Sequence, residues 1–493
     1  MSAASIHRTL RRTWSRTGAV GVVAVCVTAA GVVSLPAQGL RAVTQPSTAV
    51  HTDNAALNGM VLPGSNPCVA WFEWGTSSQY GNTAGLTNLA AGGRVVALRC
   101  AVIGLSSDFV YHYRLVASNN LGVVYGSRQQ FTTGGNIVVW GNPNFGHTTV
   151  PDDLTNAVAV SGGSDHCLAL RNDGTIAAWG GNYYGQTDIP PDVVEAIAIA
   201  GGQYHTLALL PDGTVRAWGA GTTFSQTFPE GGQSIVPPGL SNVVQIAAGT
   251  SHSLALKADG TVAAWGSARL YLDVWNDLGQ SKVPVGLSNV VAISGGDFHS
   301  LALKADGTVV TWGYNTHGQG VTPPGLSNIV AISAGWYHNL AQHRDGTVAA
   351  WGLGTVNSGF PYFGQALVPP GLNNLAGIAG GGFFSMALRR DGTAVGWGRD
   401  DDYGQAAGTA IVANAVALAA GYDFGLALQS SAPLEVALSI QPLGSQLQLA
   451  WSGGVLQAAD EIEGIYTDLD GAVSPLSITP SAARQFFRVR VQR

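Results

Sequence analysis

Alternating apolar and polar positions recur along the middle of the chain in one pattern, which residues 243–266 show in full. An apolar run ends in Gly, then two residues and a His lead into a short Leu-Ala-Leu strand, an Asp-Gly-Thr turn and a strand closing with Trp-Gly. Period-two alternation broken by Asp-Gly turns predicts antiparallel β-strands. The tryptophans of the Trp-Gly pairs are Trp140, Trp179, Trp218, Trp265, Trp312, Trp351 and Trp397.

The two ends of the series carry complementary halves of this pattern. Residues 136–141 are a lone Trp-Gly strand, and residues 415–429 stop where Asp-Gly-Thr and Trp-Gly should follow. We therefore expect the first strand to complete the last unit and close a ring. Each unit is predicted to hold four short strands, the fourth in a Gly-Gln-x-x-Val-Pro segment. Four-stranded units of this length predict an all-β protein built on a seven-bladed β-propeller.

The repeat resembles the regulator of chromosome condensation family, whose blades carry Gly-x-x-His, Ala-Leu, Asp-Gly-x-Val and Trp-Gly-x-Asn-x-x-Gly-Gln. The resemblance covers residues 136–431, and the repeats are similar also to those of the propeller-type β-lactamase inhibitor protein. Kelch and WD-type propellers share the Gly-Gly pairs and the Trp, but not the Asp-Gly-Thr and Gly-Gln positions. In two blades Phe384 and Phe424 replace the His. The His position is held by His166, His205, His252, His299 and His338, and the Gly-Gln position by Gln186, Gln280, Gln319, Gln365 and Gln405.

Further alternating segments flank the repeats on both sides. Residues 46–134 predict a β-sandwich of short strands and resemble a bacterial fibronectin type III domain, which implies a corner hydrogen bond from Tyr111. Cys68 and Cys100 are candidates for a disulfide in an exported domain, and the alternative is two buried free thiols. Residues 434–493 predict a small C-terminal β domain that resembles those closing many secreted bacterial repeat proteins.

The N-terminus, residues 1–42, has the pattern of a signal peptide. A basic front that includes Arg11 and Arg12 precedes an apolar stretch at 18–33, and small residues follow at Ala37 and Gly39. The alternative is an uncleaved signal anchor. Either predicts a bacterial protein that is secreted or held at the cell surface, with cell-envelope attachment as one outcome.

Composition narrows the classes of function. The 493 residues include 67 glycines, only 11% are charged, and the formal net charge is −6. This composition suits an extracellular β protein and argues against a nucleic-acid partner. Motifs for a nucleophile elbow, a phosphate loop or a metal-binding helix are absent from the sequence. We therefore predict no enzymatic activity, no nucleotide or other cofactor and no metal.

The repeated histidines and tryptophans are interpreted as structural residues. A catalytic site needs one asymmetric constellation, whereas these side chains recur in nearly every blade. We expect the imidazoles to satisfy backbone groups at the tight loop between two strands, and the indoles to pack between neighbouring blades. Cys167 occupies a small-residue position after the His and is expected to be an inert buried thiol. The run Asp400-Asp401-Asp402 is interpreted as a solvated turn.

Ligand recognition is expected where the repeats differ. The loops after Trp218, Trp265 and Trp351 are longer than the others and rich in aromatic residues, and strand alternation places them on the face of the Gly-x-x-His loops. We predict a secreted or surface binding protein whose partner is a protein or a glycan. The alternatives are an extracellular enzyme inhibitor and a glycan-cleaving enzyme that would use acids such as Glu230, Asp273 and Asp277. The candidate binding residues are Phe224, Phe228, Tyr271, Trp275, Phe360, Tyr362 and Phe363.

Overall fold

The structure is a computed structural model that describes residues 39–223, 231–266 and 278–430, together with six strands between 438 and 490. In these ranges the chain is almost entirely β-structure, with one short 3-10 helix at Ala407–Ile411. No helix in the same ranges is long and apolar enough to cross a membrane. The predicted signal lies almost wholly outside the described residues, as do Phe224, Phe228, Tyr271 and Trp275 and the acids Glu230, Asp273 and Asp277.

The first eight strands form two antiparallel sheets packed as a sandwich. One sheet has the order β1-β2-β5, and the other has the order β4-β3-β6-β7 with β8 also paired to β6. Tyr113, Leu115 and Leu57 are fully buried between them. The strands are β1 (Arg41–Thr48), β2 (Asn54–Leu62), β3 (Cys68–Gly75), β4 (Asn82–Leu89), β5 (Val96–Ile103), β6 (Val110–Asn119), β7 (Gly122–Tyr125) and β8 (Gln129–Thr132).

Two details of the sandwich bear on the sequence analysis. Strand β1 begins at Arg41 and Leu40 is fully buried, so the β segment starts before residue 46 and includes the last residues that we had given to the signal. Tyr111 makes the corner bond, because the backbone N–H of Ser106 donates to its hydroxyl at 2.8 Å.

The disulfide predicted between Cys68 and Cys100 is wrong, because both thiols are free. Cys68 begins β3 opposite Leu89, whereas Cys100 lies against Gly85 at the level of Phe72. Four residues of strand separate these levels, roughly 13 Å at ~3.3 Å per residue, and disulfide-bonded Cα atoms lie within about 7 Å. Burial raises the pKa of both thiols.

Seven three-stranded antiparallel sheets form the blades of the propeller. In each sheet the middle strand pairs with the other two strands. Blades 1–3 are β10 (Ala157–Gly162), β11 (His166–Arg171), β12 (Ile176–Gly180); β13 (Ala198–Gly201), β14 (His205–Leu209), β15 (Val215–Gly219); and β16 (Val243–Ala248), β17 (Ser253–Lys257), β18 (Val262–Trp265), while β9 (Gly135–Gly141) precedes them.

Blades 4–7 continue the same order, and a small hairpin is inserted after blade 5. They are β19 (Val290–Gly295), β20 (His299–Lys304), β21 (Val309–Gly313); β22 (Ile329–Ala334), β23 (His338–His343), β24 (Val348–Gly352); β27 (Leu375–Gly380), β28 (Phe384–Arg389), β29 (Ala394–Gly398); and β30 (Ala415–Ala420), β31 (Phe424–Ser430), with the inserted hairpin β25 (Asn357–Gly359) and β26 (Tyr362–Phe363).

Strand β9 closes the ring by pairing with β31, and the register places Trp140 opposite Gly425. Blade 7 is therefore built from both ends of the array, as the complementary halves in the sequence predict. The indole N–H of Trp140 donates to the carbonyl of Gln405 at 3.0 Å, which ties the closing strand to the segment that follows blade 6.

The predicted fourth strand of each blade is wrong. The Gly-Gln segments form turns. The backbone carbonyl of the Gln in each pair accepts hydrogen bonds from side chains, not from a neighbouring strand. The carbonyl of Gln233, for example, accepts the indole N–H of Trp265 at 2.9 Å and the hydroxyl of Ser253 at 2.9 Å. The prolines that follow, such as Pro237 and Pro238, have no N–H to give to a sheet.

The sandwich covers the face of the propeller that carries the Asp-Gly-Thr turns. Gln45 donates to the carbonyl of Val291 at 2.9 Å. Asn172, next to one of these turns, donates to the carbonyl of Thr133 at 3.0 Å, and Arg344, next to another, donates to the carbonyl of Tyr125 at 3.0 Å. The sandwich therefore does not cover the loops on the opposite side of the propeller.

The C-terminal strands form two further small sheets, with the orders β32-β33-β36 and β35-β34-β37. Leu449 and Phe487 are buried within this segment. Its strands are β32 (Leu438–Leu443), β33 (Gln446–Trp451), β34 (Val455–Ala459), β35 (Thr467–Asp468), β36 (Leu476–Ile478) and β37 (Phe486–Arg490).

Candidate functional site

The innermost part of the face opposite the sandwich is a ring of seven short loops, one from each blade. Each joins the first strand of its blade to the second. We call them the inner loops: 163–165, 202–204, 249–251, 296–298, 335–337, 381–383 and 421–423. Each is a Gly followed by two residues that differ from blade to blade.

Backbone hydrogen bonds join these loops into a closed belt. The N–H of Ser164 donates to the carbonyl of Gly202 at 3.2 Å, and the equivalent N–H of each following loop donates to the carbonyl of the Gly or of the residue after it in the next loop. The belt closes where Tyr422 of blade 7 donates back to the carbonyl of Ser164 at 3.4 Å. The loops surround a small depression at the channel mouth, to which all seven blades contribute. The mouth is therefore held by backbone bonds, and its chemistry is set by the variable side chains.

Two aromatic side chains dominate the mouth. The rings of Trp336 and Tyr422 stack with their centroids 3.9 Å apart and their planes at 25°. The two residues belong to blades 5 and 7, so the pair spans the inner loop of blade 6, where the equivalent residue is Gly382. A Cβ at Gly382 would lie 2.4 Å from Cδ2 of Tyr422. The glycine therefore makes the room that the pair needs.

Further aromatic rings continue outward from this pair. Phe383 lies between it and the loop after blade 5, with centroids 5.9 Å from Trp336, 5.8 Å from Phe360 and 5.8 Å from Phe363. Phe360 is 79% exposed and Tyr362 39% exposed. Of the predicted binding residues, the structure thus places Phe360 and Phe363 in one aromatic cluster with the mouth, and leaves Tyr362 on the surface beside them.

Asp297 of blade 4 is the acidic residue that lines the mouth. Its side chain is buried, and the hydroxyls of Thr250 and Tyr337 donate to its carboxyl. Burial raises the pKa of Asp297 to about 7, because the charged form loses its hydration and both of its hydrogen-bond donors are neutral.

Two more acids lie in the inner loops of the blades that meet at the ring closure. Burial and the neighbouring charge of Asp423 raise the pKa of Asp165 to about 6. The carboxylate of Asp423 accepts a bond from Arg399 at 3.0 Å, and burial outweighs this pairing so that its pKa is also raised. Arg399 is shared with Asp401, 2.5 Å away.

The repeated histidines hold the blades together beneath these loops. In each case Nε2 lies next to the residue that follows the His position in the next blade, for example Ser300 at 3.0 Å from His252. The hydroxyl of Ser300 donates its proton to the carbonyl of Gln280, so it accepts from His252, which fixes the tautomer with the proton on Nε2. We expected backbone partners for these rings, whereas the structure gives side-chain partners across the blade boundary.

The two blades without a histidine lack the acceptor as well. Phe384 faces a next blade in which the acceptor position is Gly425, and Phe424 faces one in which it is Cys167. Phe424 stacks on His147, with centroids 4.1 Å apart. Cys167 is fully buried, and burial raises its pKa well above the ordinary value. The donor and the acceptor are thus replaced together.

Among the residues that the structure describes, no three His, Cys, Asp or Glu side chains are grouped so that they could hold a metal ion. The run at residues 400–402 is engaged in its own turn, where Asp400 accepts from the backbone N–H of Ala407 at 2.9 Å and Asp401 from that of Tyr403 at 3.1 Å.

The inner-loop residues were not predicted as a site from the sequence. Gly-x-x-His was interpreted as a constant motif, and variation was sought only in the long outer loops. The two positions marked x were the available signal, because no two blades carry the same pair of residues there while the residues on both sides stay nearly constant. They contribute Trp336, Tyr422 and Asp297 to the mouth.

The comparisons with known proteins agree with this architecture. The family profile described as "Regulator of chromosome condensation (RCC1) repeat" matches residues 157–186, 196–226, 243–269, 290–319, 329–358 and 376–405. No curated protein matches the chain.

Several solved structures are similar to the chain. Prp20p from Saccharomyces cerevisiae is 20% identical, with 61% of this chain and 92% of that chain covered and a TM-score of 0.46. Human WBSCR16 is 18% identical, with 60% and 99% covered and a TM-score of 0.46. The ectodomain of the Physcomitrella patens receptor kinase CR4 is 24% identical, with 59% and 76% covered and a TM-score of 0.41. The six matching repeats lie within the closed ring of seven blades, and they identify the propeller as one built from regulator of chromosome condensation (RCC1) repeats.

Proposed function

We propose that this protein is a secreted or surface-held binding protein that recognises a protein or a glycan through the inner-loop face of its propeller. The observation that carries the proposal is the aromatic cluster around Trp336, Tyr422 and Phe383 at the channel mouth, on the face that the sandwich leaves uncovered. Half-buried and exposed aromatic rings gathered at a depression are typical of recognition sites, because they offer a large apolar area at a low cost in conformational entropy.

Export is proposed on the N-terminal sequence alone. The basic front and the apolar stretch at residues 18–33 have the order of a secretory signal. The sandwich, which we propose to be a fibronectin type III-like module, occupies the opposite face and would act as a spacer that presents the inner-loop face outward.

Glycan cleavage is the second candidate, and the pair Asp165 and Asp423 favours it. Burial and the neighbouring charge of Asp423 raise the pKa of Asp165 to about 6, and burial also raises the pKa of Asp423. Acid and base carboxyls with separated pKa values are what glycoside hydrolysis requires. The bond from Arg399 to Asp423 counts against this role, because it keeps that carboxylate paired.

A binding assay with matched variants tests the proposal. The purified full-length chain would be applied to protein and glycan arrays beside a panel of glycosidase substrates. Trp336→Ala and Phe360→Ala should each weaken binding of the hit by about 2 kcal/mol or more without lowering the melting temperature. Phe109→Ala, a comparably exposed aromatic on the sandwich at 46% exposure, should leave binding unchanged.

Three results would contradict the proposal. The first is an equal loss of binding affinity in all three variants. The second is a loss of affinity that a lower melting temperature explains. The third is turnover of a glycosidase substrate that Asp165→Asn abolishes.

A further inference from the structure

We propose that the group seated in the channel mouth is a cationic side chain, an arginine or lysine of a protein partner, held by the Asp297 carboxyl and the rings of Trp336 and Tyr422. This inference rests on the proposed binding function and names the chemistry of its ligand.

The first argument is the charge of the inner loops. The seven loops contain fourteen variable positions, of which three are Asp and none is Lys or Arg. The acids are Asp165, Asp297 and Asp423. All three have a raised pKa, with burial as the largest cause. Arg399 pairs with Asp423, whereas the hydrogen-bond donors at Asp297 are the neutral hydroxyls of Thr250 and Tyr337. A cation brought by a ligand would supply positive charge at Asp297.

The second argument is the environment of Asp297. The residue is only 3% exposed, and it belongs to the lining of the depression. Thr250 and Tyr337 already donate to it and are neutral. Buried carboxylates are seldom left without a positive partner. The two donors hold the Asp297 carboxyl in place, and the inner loops contain no Lys or Arg that could pair with it.

The third argument is the aromatic pair beside it. Asp297 and Trp336 are joined by a backbone bond of 3.2 Å from the N–H of Asp297, and the charge of Asp297 acts on the Tyr422 hydroxyl. A guanidinium or ammonium group over an aromatic face gains cation–π attraction that increases as water is excluded. A neutral sugar would gain the stacking but leave Asp297 without a counter-charge. The arrangement therefore favours a cationic side chain over a glycan.

Cation binding in this mouth should be linked to a proton. The titratable and charged groups around Asp297 are Tyr337 and Tyr422, with Arg399 and Asp423 beyond Tyr422. Since burial raises the pKa of Asp297 to about 7, part of the population is protonated near neutrality. A cation prefers the ionised form, so its affinity should increase as the pH rises through that value.

The test uses two peptides that differ only in charge, the amidated and acetylated tripeptides Gly-Arg-Gly and Gly-citrulline-Gly. Citrulline keeps the shape of arginine and removes the charge. Titration calorimetry on the full-length chain should show the arginine peptide binding at least about tenfold more tightly than the citrulline peptide. The arginine peptide should bind more tightly at about pH 8 than at about pH 6.

Variants locate the binding. Asp297→Asn keeps the size of the side chain and should weaken binding of the arginine peptide about tenfold and remove the pH dependence. Trp336→Ala should weaken it by a similar factor. Asp402→Asn, an exposed acid on the same face, is the matched control and should change binding by less than about twofold. The near-ultraviolet circular dichroism of Asp297→Asn should match the parent, which shows that the mouth is still formed.

Equal affinity for the two peptides, no measurable binding of the arginine peptide, or equal losses in Asp297→Asn and Asp402→Asn would overturn this inference. A glycan hit on the arrays that Trp336→Ala abolishes would also overturn it, while leaving the binding function in place. Failure of both the arrays and the peptides would remove the binding function itself.

Discussion

The Nε2 atom of His166 lies 3.1 Å from the Oγ1 atom of Thr206, which belongs to the next blade. Thr206 in turn donates to the carbonyl of Gln186, in the segment that connects the two blades. The same three-part contact recurs at four further blade boundaries. A motif that looks local in the sequence is therefore a connection between neighbours, and it links three segments at every boundary where a histidine stands.

Breaking one of these connections should destabilise the ring. Ser300→Ala removes the acceptor of His252 and the donor to Gln280 while deleting a single oxygen atom. The imidazole N–H of His252 is then left unpaired in a buried position, while the carbonyl of Gln280 keeps the indole N–H of Trp312 as its donor. We therefore expect a loss of about 1–3 kcal/mol in the free energy of unfolding. Urea denaturation measures it. Ser288→Ala, an exposed serine just before blade 4, is the control, and equal unfolding midpoints for the two variants would contradict the prediction.

Much of the scaffold could be predicted because it repeats. A turn such as Asp259-Gly260-Thr261 defines one hairpin, and six copies at blade spacing define a propeller. The partners of the histidines could not be predicted, because Thr206 follows His205 in the chain and lies against His166 only once the blades are packed. The sequence did carry one sign of this pairing. Phe424 stands in place of a His, and in the next blade round the ring Cys167 stands where most blades have a hydroxyl or amide.

Ring closure through β9 should be essential for stability. Deleting residues 136–141 removes the seven-residue pairing with β31, apart from Gly135, and leaves blade 7 with two strands. We expect a loss of many degrees in the melting temperature, since unpaired strand edges and buried apolar side chains are exposed together.

A milder variant of the same strand separates closure from a general effect of mutation. Trp140→Ala keeps the strand but removes a buried indole and its bond to Gln405, and should cost about 3–5 kcal/mol. Asn136→Ala changes an exposed position of the same strand and should be nearly neutral. A deletion variant that melts within about one or two degrees of the parent would show that closure contributes little.

Stability should depend on pH in two opposite ways. The folded pKa of Asp297 is raised from 3.8 to about 7, so its contribution is complete below about pH 4 and is lost as the pH rises to about 7. Burial lowers the pKa of the five repeat histidines from 6.5 to about 3 or 4. Their contribution is complete above about pH 6.5 and is lost as the pH falls.

Asp297→Asn isolates the first of these effects. Relative to the parent, the variant should gain stability at about pH 8 compared with about pH 5, because the asparagine has no charge to bury. Urea denaturation at the two pH values gives the difference. The same shift in Asp402→Asn, whose side chain is exposed, would mean that the effect does not arise at the mouth.

The variable side chains of the mouth could not be predicted as a site, because they lie about one blade apart in the sequence. Trp336 and Tyr422 are separated by the whole of blade 6, and only the ring brings their rings to 3.9 Å. The sequence did show that repeats differ, and the loop after blade 5 was identified for that reason. The aromatic residues of that loop and of the inner loops are parts of one surface.

Gly382→Ala should displace the aromatic pair without unfolding the protein. Since the added Cβ would lie 2.4 Å from a ring atom of Tyr422 and 2.6 Å from its carbonyl oxygen, Tyr422 must shift from its present position beside Trp336. We expect a changed near-ultraviolet circular dichroism spectrum and weaker ligand binding, with a loss of stability of roughly 1–3 kcal/mol. Gly377→Ala in the same blade is the matched control, because a Cβ there meets no atom within 4 Å. If Gly382→Ala kept the spectrum and the binding of the control, the close packing of Tyr422 against Trp336 would not be what shapes the mouth.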